Sequence, residues 1–297
     1  GYSAISAHEH PPPQSISVAG VRVFYAQTGI VGNQRKDRAV RMIVPVGDSF
    51  TVTQRDPAQS TTRASRATLH FPAVCRGLRQ GHDARLQERR GAGLLRRIAV
   101  QGGYHVLLVD QRAHGKSEGR CLTFGIQGRY DCRAWVNYAV GRFGADTKIL
   151  LYGVSMGAAT VLMAGGLNLP RNVVGIVADC GYSSPAAIIR KVIRDQHLPI
   201  FPVYQLIRLG GKMFGGFDLE SATVTDALAH CDIPVLLIHG GDDRFVPCDM
   251  GHENYAHCAA RSKQLLVVPG AGHGLSYMVD REAYLAALES FLRSVLD

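Results

Sequence analysis

The chain has 297 residues, 46% of them apolar, and a formal net charge of +9. That length suits one large domain with a modest insertion, and the apolar fraction suffices for a sizeable core. The charge does not mark the whole chain as a nucleic-acid or membrane-surface binder, because residues 1–100 carry 15 Lys and Arg against 6 Asp and Glu while residues 101–297 carry 18 against 18. Seven cysteines without a CxxC pair or regular spacing disfavour a disulfide framework and a zinc site, so a reducing, cytoplasmic setting is the simpler expectation. No run of about 18 apolar residues appears, and residues 1–14 lack a basic stretch followed by an apolar one. The sequence begins at Gly1 rather than Met, so a leader or anchor could have preceded it.

From Gly103 onward, short apolar runs alternate with helical patterns. In chain order, the pattern predicts a strand at His105–Asp110, a helix at Tyr130–Phe143, a strand at Lys148–Tyr152, a helix at Met156–Leu167 and a strand at Val173–Ala178. A long interval follows, with helices near Pro185–Gln196 and Pro202–Phe214. The rhythm then resumes with a strand at Pro234–His239, a helix at Asp249–Ala260, a strand at Gln264–Val268 and a last helix at Arg281–Val295. Strands that are apolar throughout are buried on both faces, which implies a mostly parallel sheet flanked by helices. The interval 185–231 is expected to form a small helical cap over the sheet's C-terminal edge rather than a second domain. Its residues Ile200, Phe201, Val203, Tyr204, Leu206, Ile207, Met213 and Phe214 either line an acyl pocket or only pack the cap onto the body.

Gly153-Val154-Ser155-Met156-Gly157 follows a predicted strand and opens a predicted helix, the setting that a G-x-S-x-G nucleophile elbow requires. The tight turn needs glycines beside Ser155, and the helix N-terminus offers the Met156 N–H to an oxyanion. Such a serine needs a base and an orienting acid further along the chain. Two later strand ends supply candidates, Asp242 and Asp243 after Pro234–His239, and His273 after Gln264–Val268. His239 and His114 compete for the role of base, but His239 ends a strand and is expected to bond locally. Cys180 is expected to serve packing.

The phrases VDQRAHGKSEG (109–119), LLYGVSMGAAT (150–160), ADCGYSSP (178–185), PVLLIHGGDDRFVP (234–247) and VPGAGHGLSY (268–277) resemble the α/β-hydrolase superfamily, and within it the bacterial Bem46-like and prolyl-oligopeptidase-like serine hydrolases. The resemblance implies the α/β-hydrolase fold. It assigns Ser155 as nucleophile, His273 as base and Asp243, in preference to Asp242, as acid, and it makes Asp110, Arg112 and Gly115 a structural turn. The implied activity is cleavage of a small-molecule carboxylic ester or thioester through an acyl-enzyme, without metal, cofactor or nucleic acid. The alternatives are amide or peptide hydrolysis on the same residues, a catalytically silent homologue, and binding of anionic surfaces through the N-terminal arginines.

One stretch departs from the family pattern. Members carry an early strand, a loop beginning with HG that supplies a second oxyanion N–H, and a helix before the strand matching His105–Asp110. The expected place, residues 61–100, has nine arginines, no lysine and no apolar run longer than three residues. A divergent segment, a basic lobe for an acidic partner and a frame-shifted stretch within residues 45–101 would each explain it. For the last, a one-base shift with CGN and CTN codons lets residues 81–86 read GMTRDF and lets Leu94 and Leu95 become Phe-Phe, as in the family's helix. A central strand and the second oxyanion donor would then be missing.

Overall fold

The computed structural model describes the strand residues 14–18, 21–27 and 40–46, together with residues 105–114 and 119–296. Among the described residues, eight strands form one sheet in the order β1-β2-β4-β3-β5-β6-β7-β8. They are β1 (Gln14–Val18), β2 (Val21–Gln27), β3 (Val40–Val46), β4 (His105–Asp110), β5 (Lys148–Val154), β6 (Val173–Asp179), β7 (Val235–Gly240) and β8 (Lys263–Val268). β2 pairs antiparallel with β1 and with β4, and all other pairs are parallel. The expectation of a mostly parallel sheet holds.

The helices are α1 (Gly128–Phe143), α2 (Met156–Gly165), α3 (Pro185–Asp195), α4 (Ile200–Gly210), α5 (Val224–Leu228), α6 (Cys248–His257), α7 (Ser276–Val279) and α8 (Arg281–Leu296), and a π-helical turn, Gly211–Gly215, extends α4. The period of two along the strands sorts their side chains between two cores. Ile149 and Leu151 of β5, Ile176 and Ala178 of β6, and Val235 and Leu237 of β7 face α1 and α2. Leu150, Tyr152, Val177, Leu236 and Ile238 face Tyr284, Leu288, Phe291 and Leu292 of α8. Each large side chain buried this way contributes roughly 1.5–3 kcal/mol, so the sheet between the two cores is the rigid part of the molecule.

The central strand is not where the sequence pattern sought it. It is β3, which pairs with β4 along Arg41–Val46 and with β5 along Val40–Ile43, well before residues 61–100. Pro45, whose missing N–H argues against a central strand, lies beyond the β5 pairing. Apart from the last two residues of β3, the stretch 45–101 lies outside the described residues, as does the loop expected to carry the second oxyanion donor.

Candidate active site

Ser155 follows β5 and caps the N-terminus of α2. Its φ of 54° is left-handed, a conformation costly for a residue with a Cβ, and the surroundings hold it there. The Ser155 N–H donates to the Asp179 carbonyl at 2.8 Å, and the Ser155 carbonyl accepts from Ala159 N–H at 3.1 Å. The turn closes so tightly that a Cβ at Gly153 would lie 2.3 Å from the Gly157 carbonyl carbon and oxygen, which is why glycine stands before the serine. Met156 is the first residue of α2, so its N–H has no acceptor within the helix and is available to an oxyanion.

The loops after β7 and β8 are laced together. Gly241 N–H donates to Val268 O at 2.8 Å, and Asp242 N–H to Ala271 O at 2.9 Å. A Cβ at Gly240 would sit 2.3 Å from the Ala271 oxygen, so only glycine lets the two loops approach this closely. The lacing brings the three expected side chains into one line. His273 Nδ1 lies 2.7 Å from Asp243 Oδ2, and its Nε2 lies 2.9 Å from Ser155 Oγ. Because a carboxylate only accepts, Nδ1 carries the proton and the bare Nε2 accepts from the Ser155 hydroxyl. The other Asp243 oxygen accepts N–H groups from Phe245 and Val246, each at 2.9 Å. Asp243 is buried, whereas the alternative, Asp242, is exposed.

The competing histidines have other tasks. His239 is buried and its Nε2 donates to the Val246 carbonyl at 2.9 Å. Burial lowers its pKa, and its Nε2 is 3.6 Å from Asp243 Oδ2, too far for a good hydrogen bond, so it adds little positive charge beside the acid. His114 is buried, with Nδ1 2.9 Å from the Arg112 carbonyl. Arg112 itself grips Asp131 with two bonds of 2.6 Å, and Gly115 of the turn expected there lies outside the described residues.

Several neighbours of the site carry no motif that would have revealed them. The Phe245 ring meets His273 edge-on at 5.0 Å between centroids. Lys191 of α3 donates to the Arg244 carbonyl and stands over the Phe245 ring, so the inserted helices touch the acid loop. Of the eight apolar residues that the sequence left open between pocket and packing, Tyr204 is buried and Ile200, Val203 and Ile207 pack against the body. Phe201, Leu206, Met213 and Phe214 are exposed, so among the described residues these four line no closed pocket.

The Cys180 thiol completes a group with Asp243 and His273 whose possible ligand atoms lie within 4.8 Å of one another. The set fits a cation poorly. Burial pushes the Cys180 thiol well above its usual pKa, and the carboxylate and imidazole already bond each other. Packing, the role expected for Cys180, agrees with its complete burial.

A model of the alpha/beta hydrolase family matches residues 81–288, about two thirds of the chain and all the loops just described. The chain belongs to the alpha/beta hydrolase family. YqkD of Bacillus subtilis is 25% identical to this chain over 196 residues, which make up 66% of this chain and 64% of that protein. Rv2307c of Mycobacterium tuberculosis is 30% identical over 197 residues, 66% of this chain and 62% of the relative. The match thus spans less than two thirds of either relative's length. Among solved structures, the esterase Pf2001 of Pyrococcus furiosus superposes with a TM-score of 0.64 at 19% identity, covering 96% of this chain and 91% of that one, a likeness of fold. Among the described residues no helix is long and apolar enough to cross a membrane.

Proposed function

We propose that this hydrolase cleaves carboxylic esters or thioesters of small molecules through an acyl-enzyme on Ser155, with His273 as base and Asp243 as the acid that orients it. The observation that carries the reading is the unbroken chain of two hydrogen bonds, of 2.9 Å and 2.7 Å, from a left-handed elbow serine through His273 to a buried carboxylate. Ser155 Oγ attacks the acyl carbon as its proton passes to His273 Nε2. The imidazolium, held by Asp243, returns that proton to the departing alcohol or thiol. Water then attacks the acyl-enzyme by the same route, with His273 again taking and returning the proton. In this reading the Met156 N–H donates to the carbonyl oxygen as it becomes an oxyanion, and such a donor contributes about 3 kcal/mol to the transition state.

The relay tests directly. A fluorophosphonate probe is expected to label the protein, and Ser155→Ala to abolish both labelling and p-nitrophenyl ester hydrolysis, a loss of roughly 10³-fold or more. Folded wild-type protein that takes no label, or labelling that survives Ser155→Ala, would overturn the reading.

A further inference from the structure

Phe245 stands in the acid loop, just after Asp243, and differs from its neighbour Val246, which is buried, in being 42% exposed. A ring left this open gains only part of the stabilisation that burial gives. The loop nevertheless holds it in place. The Phe245 N–H donates to Asp243 Oδ1 at 2.9 Å. Its ring centroid lies 5.0 Å from that of His273, with the two planes crossing at 63°, and the Lys191 ammonium of α3 stands 5.9 Å from the same centroid. Lys191 is itself anchored, because it donates to the Arg244 carbonyl and to Asp195. The His273 side chain is 25% exposed, so a partly open aromatic ring and the partly open imidazole lie side by side at the rim of the site.

We infer that Phe245 is a specificity-determining residue for the leaving group, and that the site takes esters or thioesters whose alcohol or thiol is apolar, an aryl or alkyl group in preference to a polyol. The inference rests on the proposed roles of Ser155, His273 and Asp243 and names the substrate class of that site. In the first step Ser155 Oγ forms the bond to the acyl carbon, the bond from that carbon to the departing oxygen or sulfur breaks, and the departing atom takes the proton from His273 Nε2. That atom therefore comes within hydrogen-bond reach of Nε2, about 3 Å. The substituent it carries lies beside the imidazole, within reach of the exposed Phe245 ring. An apolar substituent laid on the ring removes both from water, and an aromatic one adds edge-on or offset contacts. A polyol there would give up water without a hydrogen bond in return. The acyl group stays on Ser155 after this step, so Phe245 acts on acylation and not on deacylation.

Benzyl acetate and ethyl acetate leave the same acetyl-enzyme and differ only in the alcohol. In Phe245→Ala the ratio of kcat/KM for benzyl over ethyl acetate is expected to fall about fivefold or more from its wild-type value. The ratio for ethyl butyrate over ethyl acetate, which differ only in the acyl group, should stay within about twofold of wild type. Phe245→Leu, apolar but smaller and not aromatic, should fall between the two, and it decides by the same ratios if Phe245→Ala does not fold. A merely structural role, in which the substitution disturbs Asp243 or His273, lowers every ester alike and leaves both ratios where they were. An unmoved benzyl-to-ethyl ratio would overturn the inference, and so would a fall in the butyrate-to-acetate ratio instead, which would put the ring on the acyl side. Either failure leaves the triad standing, whereas absence of Ser155-dependent labelling in wild type would remove the triad reading and this inference with it.

Discussion

Around Ser155 the chain is largely buried, whereas the 185–231 insertion packs one face of α3 and α5 into the core and leaves much of α4 exposed. In α2 every residue from Gly157 to Gly165 is buried, none is charged, and β5 and β6 are buried along nearly their whole length. In α4 only Tyr204 is buried, and Phe201, Leu206, Leu209, Met213 and Phe214 are exposed. The insertion is tied together by Arg190, Arg208 and Lys212 paired with Asp218 and Glu220. Arg208 and Lys212 hold the Asp218 carboxyl below its usual range, yet ion pairs this exposed contribute little each and are screened by salt. The contrast separates two tasks. Ser155 stands on the close-packed part, whereas the exposed face of α4 can be altered without disturbing it.

That contrast should show first in the size of mutational effects. Gly153→Ala drives a Cβ into backbone atoms of Gly157 and Ala158 that cannot yield, and is expected to destabilise by about 4 kcal/mol or more, or to prevent folding. Chemical denaturation with near wild-type stability would show that the body around the elbow is not rigid.

A smaller effect is expected from the buried carboxyl of Asp179, and it depends on pH. Below about pH 4 Asp179 is protonated in folded and unfolded chains alike. As pH rises from its usual value of 3.8 to about 7, the unfolded chain releases the proton while the folded chain keeps it, so stability falls; above about 7 the penalty is complete. Asp179→Asn should therefore gain stability over wild type at pH 8 by up to roughly 4 kcal/mol, and much less at pH 4. Thermal melts at the two pH values measure the difference, and an equal change at both would refute it.

The smallest effect belongs to the insertion. Glu220→Gln loosens the bonds to Arg190, Arg208 and the Tyr204 hydroxyl. It should lower Tm by no more than about 2 °C, with the difference shrinking in high salt. A larger, salt-independent drop would mean that the insertion is as firmly built as the body.

These regions also differed in how readily the sequence could be read. β4 through β8 were legible because strands buried on both faces are apolar without interruption, and Ser155, Asp243 and His273 because each sits where a strand ends in a glycine-bearing turn. β1 and β2 were not read as strands, since Ser15 and Ser17 or Arg22 break the apolar run, and β3 was sought too late in the chain. Asp179 lies within the phrase ADCGYSSP, but its burial is shared with Tyr284, 105 residues further on, and among the described residues one of its oxygens has no partner. Neither leaves a mark beside it in the sequence. The exposure of Phe201 and Phe214 leaves no mark in the sequence either, because an apolar residue looks alike there whether a neighbour covers it or not.

The left-handed backbone at residue 155 has one further consequence. Any side chain with a Cβ inherits the same strain there, so the fold by itself would favour glycine at that position. A serine at 155 is thus a choice against stability, sustained by the close packing of β5 and α2, and a body any less firmly packed would be free to relax the turn and lose the alignment of the hydroxyl with His273.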